Sequence, residues 1–390
     1  MTKTVLILLA AGGVASAQDF LENEAPNLGG ILFPSLHAAA VYGDSSRDPA
    51  DLAAHGHDPN DQFTLQGIEA GLSLRAGEYL EGFANGVLFM DLEDDFDTEW
   101  EEAFLKLANL PGGFEVRGGR MLNRVGRQNA THLHAWDFVD ANLLTSRFLG
   151  DEGLITNSVE LTWLVPTPFE SALSIAFGET VPHEEHAHGD EEEHEGEEEE
   201  EEEEHELEGE DGLFDTDVLT LRYEGIWHYN DFHRFRFGGS FLVGDNRFMR
   251  TTTATGLDFE YGYYENGLEG GGRSVRWRTE VMCREVEYQH EDGDGRGTSD
   301  ELGLSTQVLM GLTEDWTAGL RYDWVEGSDD LHELPERHRL SAAVTRHLSF
   351  GDDADGWVRL QVNHEDHEEY GDECSVWVQF GLNWGGAEVR

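Results

Sequence analysis

Positive charge is scarce in this 390-residue chain: 25 Lys and Arg stand against 81 Asp and Glu, for a formal net charge of −56. A phosphate backbone would repel such a molecule, which excludes a nucleic-acid partner and favours cations or an extracellular, saline setting. Lysine is almost missing, with only Lys3 and Lys106, so the location of each arginine carries the charge argument. Long apolar runs are missing too. No stretch approaches the roughly 18 uncharged apolar residues that a membrane-crossing helix needs, so the mature chain is either soluble or crosses a membrane as a barrel. Cys283 and Cys374 are the only cysteines; they permit a single bridge, with two unpaired thiols the equal alternative.

What is present begins with an export signal. The first seventeen residues, MTKTVLILLAAGGVASA, carry one basic residue, an apolar stretch from Val5 to Ala11 and a small-x-small end at Ala15-Ser16-Ala17. Cleavage before Gln18 would leave a short N-terminal segment, residues 18–32, on the periplasmic side, ahead of β-structure over residues 33–384. That structure announces itself by a period of two. In SVWVQFGLNW, Val376, Val378, Phe380, Leu382 and Trp384 share one face, and Ser375, Gln379 and Asn383 share the other. HRFRFGGSFLV, SVRWRTEV, AGLRYDW and VRLQVN repeat the pattern, one face greasy and the other wet.

Alternation alone also fits a soluble sandwich, so the connections decide. Short turns at 76–78, 110–113, 166–168, 229–231 and 313–315 alternate with long polar connections near 43–62, 123–157, 180–215, 290–300 and 327–336. This is the plan of an all-β, transmembrane, antiparallel up-and-down barrel with short periplasmic turns and long external loops, here about sixteen strands. The pairing between 245 and 272 is poorly defined by pattern. Trp163, Phe169, Trp227, Tyr229, Phe232, Trp316, Trp324 and Trp384 lie near strand ends, where an interfacial aromatic girdle sits.

An arginine on a lipid face near mid-membrane costs roughly 2–4 kcal/mol. That magnitude leaves one orientation, with Arg75, Arg117, Arg222, Arg234, Arg236, Arg276, Arg278, Arg321 and Arg359 facing inward. Unpaired, these groups could not line a dry interior, so the expected lumen is a water-filled channel. The plainer reading is that they pair with inward acids such as Glu115, Glu224, Glu280 and Asp323 and stabilise the wall.

The connection at 123–157 carries Trp136, Phe138, Val139, Leu143, Leu144, Phe148 and Leu149, too much apolar surface to project into solvent. By strand count it is the third external loop. In this the chain resembles the Gram-negative outer-membrane porin superfamily, whose third loop folds into the barrel and forms the constriction. HLHAWDFVD, RFLGDEGL and LTWLVPTP are further similar to an uncharacterised porin-like subgroup with histidine-rich loops that is loosely associated with zinc. The resemblance implies acidic residues on the loop opposed to basic ones on the wall. Asp137, Asp140, Asp151 and Glu152 match the acidic side; Arg117, Arg120, Arg234, Arg236, Arg276 and Arg278 match the basic side. Such opposed charges would orient dipolar solutes in a transverse field. Barrels of this kind usually end on an aromatic residue, whereas here GGAEVR, residues 385–390, follows Trp384 as a tail.

Three H-x-H pairs, His55 with His57, His132 with His134, and His186 with His188, are metal half-sites if a carboxylate is near. Hydrogen bonding within the loop is the equal alternative for His132 and His134. Residues 180–215 hold His183, His186, His188, His194 and His205 in a glutamate tract that should be disordered and external. The tract would serve as a solvated shield, or would bind Zn2+ or Ca2+ weakly, with no cofactor required for function. The reading is therefore a non-enzymatic outer-membrane channel for passive diffusion of small hydrophilic solutes or ions, in contact with outer-membrane lipid. Outer-membrane proteases and phospholipases need a tightly arranged site on a smaller barrel, and nothing in the sequence suggests one. The alternatives are a soluble secreted acidic metal-binding β-protein and a non-conducting surface barrel or adhesin. Whether three barrels associate as a homotrimer is left open.

Overall fold

The computed structural model describes residues 26–47, 55–92, 94–181, 212–268, 272–289, 296–328, 331, 334–351, 353–386 and 388–389. The export signal, most of the N-terminal segment and His183, His186, His188, His194 and His205 lie outside them. The described residues form sixteen strands: β1 (Leu32–Ser45), β2 (Gln62–Ala76), β3 (Leu80–Met90), β4 (Phe96–Leu110), β5 (Phe114–Leu122), β6 (Ile155–Leu164), β7 (Glu170–Thr180) and β8 (Thr216–Asn230). They continue as β9 (His233–Asp245), β10 (Thr251–Tyr264), β11 (Ser274–Gln289), β12 (Arg296–Gly311), β13 (Trp316–Val325), β14 (Arg337–Ser349), β15 (Ala354–His367) and β16 (Gly371–Gly385). Each pairs with its neighbours in sequence. The circle closes where β1 meets β16 antiparallel, from Ser35 opposite Gly385 to Ser45 opposite Ser375. Closure removes the unpaired edges that an open sheet would expose.

The period-two pattern sets the orientation of every strand. Leu257, Leu360 and Phe380 face outward and are 67%, 50% and 54% exposed, while Arg321, Arg359 and Gln379 face inward and are almost fully buried. The greasy belt is on the outside, as a hydrocarbon surround requires and water does not. This removes the soluble-sandwich alternative, in which apolar positions would meet one another in the middle. Of the girdle aromatics, Trp227, Tyr229, Phe232, Trp316 and Trp384 are exposed near the short-turn rim.

Two bulges turn extra polar residues inward. The register of β1 on β2 shifts between Ala39 and Ala40 and leaves Gln66 as an extra residue, which is buried inside. The register of β3 on β4 shifts between Asn85 and Val87. Adjacent Glu101 and Glu102 are therefore both buried, where strict alternation would send one of them toward lipid. Asn85 secures the irregularity: its amide donates to Glu101 Oε2 at 2.5 Å, and its carbonyl oxygen accepts from the Glu102 N–H at 3.0 Å.

Three local features complete the fold. β10 supplies the pairing that pattern left poorly defined between 245 and 272, with only residues 246–250 as its connection to β9. Cys374 lies in β16, and it and Cys283 are exposed free thiols, the unpaired one of the two alternatives. The tail does not stop at the rim, because Val389 is buried against Phe83, Phe104 and Met121.

Candidate functional site

The segment after β5 does fold into the barrel. It enters as an irregular turn, forms a single 3-10 turn at Leu133–Ala135 and then a short helix, α1 (Leu143–Leu149). Asn142 caps α1 by accepting the Thr145 N–H at 2.7 Å, and Gly150 ends the helix at φ 100°, a conformation that suits glycine. Leu143, Leu144, Phe148 and Leu149 are buried against Val218, Leu242, Ala254, Met282 and Val325 of the facing wall. Their apolar surface explains why this loop packs inside.

Charge fixes the loop against the wall. Asp140 is the centre of one attachment: Arg321 donates to its carboxylate at 2.5 Å and to its carbonyl at 2.9 Å. Arg339 lies 3.4 Å from the other carboxylate oxygen, and the Gln361 and Asn363 amides each donate at 2.8 Å. Burial alone would raise the Asp140 carboxyl, but Arg321 and Arg339 outweigh it and hold the group below its ordinary range. Arg359 extends the attachment by donating to the Phe138 and Trp136 carbonyls, each at 2.8 Å. Gln66, displaced inward by its bulge, donates to Val139 at 2.8 Å and to the His57 carbonyl at 2.9 Å.

A second charged contact is wetter. Asp137 accepts from Arg276 at 2.8 Å and lies 3.7 Å from Arg278, with Arg278 also paired to Glu260 at 3.1 Å. The Asp137, Arg276 and Arg278 side chains keep 19%, 22% and 19% exposure, against 1% for Arg321. Arg276 and Arg278 hold the Asp137 carboxyl low against the opposing effect of burial. Arg127, on the loop, reaches Glu224 at 2.8 Å, and Arg124 reaches Glu160 at 3.5 Å. Arg234 and Arg236 also lie on this side, 3.3 Å from Glu260 and 3.5 Å from Glu224.

Of the other wall residues, Arg117 pairs with Glu160 at 2.9 Å, Arg120 with Glu99 at 2.8 Å and Arg222 with Asp258, while Arg75 covers the Phe33 ring near the short-turn rim. The inward arginines are thus mostly matched by carboxylates, and part of the expected aqueous interior is packed by loop and ion pairs. Asp151 and Glu152 do not meet the arginines. Asp151 is exposed, and Glu152 instead faces His57 at 3.5 Å, beside Glu99 of β4, both residues following the turn at Gly150. Burial, then the Glu99 carboxylate, pushes the Glu152 carboxyl well above its ordinary range.

His55 and His57 belong to the first long connection, whose described residues 55–61 also fold inward. Both are buried, and His55 meets the edge of Trp136 at 4.9 Å between ring centres. Burial lowers His55 well below the usual histidine value and His57 to about 4, so both rings are neutral at physiological pH. His132 and His134 lie beside Glu69, Glu102 and the tail residue Glu388. Pattern reading missed Glu69, Glu388, Arg339 and Arg284, the last of which pairs with Glu301 in full burial. Alternation offers a signal for Arg284 and Arg339, whose register matches that of the chosen arginines. Sequence offers none for Glu388.

Fold and loop together define a closed sixteen-stranded antiparallel barrel with an inward-folded third loop, and solved outer-membrane channels share that fold. The outer membrane channel DcaP of Acinetobacter baumannii superposes with a TM-score of 0.56 at 10% identity, over 91% of this chain and 96% of that one. OprB of Pseudomonas putida gives 0.52 at 9% identity over 91% and 94%. OmpT of Vibrio cholerae gives 0.51 at 10% identity over 93% and 100%. Identities this low establish a shared fold and nothing finer. In sequence, an uncharacterised protein of Aquifex aeolicus is 44% identical over 69 residues, which span 18% of this chain and 14% of that relative. No family model matches the chain.

Proposed function

We propose that this protein is an outer-membrane channel for passive diffusion of small hydrophilic solutes or ions, exported by its N-terminal signal. The observation that carries the reading is the third loop, folded inside the barrel with Asp137 set against Arg276 and Arg278. Fixed charges of both signs at a half-wet contact orient dipolar solutes and disfavour apolar ones. Recording from planar bilayers tests it: discrete conductance steps are expected, and a folded barrel that inserts without conducting would favour the adhesin alternative. A finer reading gives the external histidine- and glutamate-rich segment weak, fast-exchanging capture of Zn2+ or Ca2+ near the mouth. Replacing His186 and His188 together should then lower zinc uptake by intact cells while leaving conductance in metal-free buffer unchanged.

A further inference from the structure

Four residues from three distant parts of the chain meet inside the barrel: Glu69 on β2, His132 and His134 on the third loop, and Glu388 on the tail. One ligand atom from each can be chosen so that all four lie within 4.8 Å of one another. His134 Nδ1 is 2.7 Å from Glu69 Oε2, and His132 Nδ1 is 3.2 Å from Glu388 Oε2. The cross-distance is longer: His132 Nδ1 to Glu69 Oε2 is 4.0 Å. Tetrahedral zinc with nitrogen and oxygen ligands at about 2.0–2.2 Å needs ligand separations of roughly 3.4 Å. These distances bracket that value, so small side-chain rotations would complete the polyhedron.

We infer that this cluster is a divalent transition-metal site of the zinc class that fastens the C-terminal tail to the third loop. Two imidazoles with two carboxylates suit zinc better than calcium, which takes six to eight oxygens. Two further observations point to a metal. His132 turns its other nitrogen, Nε2, to Glu102 Oε2 at 3.1 Å, the carboxylate contact that orients a ligating histidine and makes it more basic. His37, buried on β1, stacks on His134 with ring centres 3.7 Å apart. Its Nε2 has no hydrogen-bond partner among the described residues and lies 3.9 Å from Glu388 Oε1. It is a spare donor aimed into the cluster. A divalent ion would also neutralise Glu69 and Glu388, two carboxylates otherwise held together in a buried place.

The tail has its own anchorage, which makes the geometry reproducible. Val389 is buried against Phe83, Phe104 and Met121, and its N–H donates to Ser73 at 3.2 Å. Glu388 is therefore presented to the loop by a seated residue. The site is independent of whether solutes pass through the barrel.

The test uses the full-length protein in detergent, stripped with chelator and reloaded with zinc alone, then dialysed so that weak external binding is lost. One equivalent should remain bound, and anomalous scattering at the zinc edge should place it between Glu69, His132, His134 and Glu388. His134→Ala and Glu388→Gln should each lose that equivalent, with folding followed by heat-modifiable gel mobility. Glu102→Gln should weaken it about 10–100-fold, and replacing His186 and His188 together should leave it unchanged. Absence of retained zinc in the wild type, or an anomalous peak elsewhere, would overturn the assignment. So would retention by a folded Glu388→Gln variant.

Discussion

The third loop meets two walls of the barrel, and the two contacts differ in kind. On the β13–β15 side, Asp140 is closed in by Arg321, Arg339, Gln361 and Asn363, with Arg321 left only 1% exposed. On the β11 side, Asp137 meets Arg276 and Arg278 while all three side chains keep about one-fifth of their surface wet. The chemistry is the same, aspartate against arginine. Its consequences differ, because a buried ion pair broken on one side leaves an uncompensated charge, whereas a hydrated pair is replaced by water. The first contact holds the loop; the second leaves charged groups accessible to whatever enters the lumen.

The largest expected effect breaks the dry side. Asp140→Ala removes the carboxylate shared by Arg321 and Arg339, and a buried pair that loses one partner costs about 3–5 kcal/mol. Asp323 and Glu365 still accompany these arginines, so a loss near about 3 kcal/mol is expected, read as a lower urea midpoint with noisier single-channel current. The matching change on the wet side should behave oppositely. Asp137→Asn should cost less than about 1 kcal/mol yet shift the reversal potential toward anions, and Arg276→Gln should shift it toward cations.

A smaller effect comes from Glu152, which sits between the two inward-folded loops. Its folded pKa is raised above the unfolded value, so the native state holds the proton more tightly. Stability from this group is present at low pH and is lost as pH climbs from the unfolded pKa through the folded one. Glu152→Gln should therefore flatten the decline in melting temperature as pH rises above the ordinary carboxylate range, where the parent keeps its slope. The smallest effect is expected outside the barrel. Cys283→Ser and Cys374→Ser, both exposed and unbridged, should stay within about 0.5 kcal/mol and leave conductance unchanged.

Strand number, orientation and the inward fold of the third loop were legible because each follows from a repeating cost: apolar atoms in water, guanidinium groups in lipid. Positions set by single events were not. The bulge that turns both Glu101 and Glu102 inward breaks the period locally, and nothing in the surrounding residues marks it. Asp137 and Asp151 look alike as loop acids, yet one meets arginines and the other turns outward, since the Gly150 turn intervenes. The tail residues Glu388 and Val389 follow two glycines and carry no pattern, so their burial depends on cavity shape that alternation does not encode. Of the two partners the sequence offered the inward arginines, water and inward acids, carboxylates from loop and wall match most of them.

The contrast between the two walls can be measured in one experiment. With Cys283 and Cys374 changed to serine, Arg278→Cys and Arg321→Cys are compared in planar bilayers while a charged, water-soluble thiol reagent is added. The account predicts that the Arg278→Cys current changes promptly on modification while the Arg321→Cys current does not. Equal reactivity at the two positions, or faster reaction at 321, would contradict a loop fastened to the β13–β15 wall with its accessible charges on the β11 side.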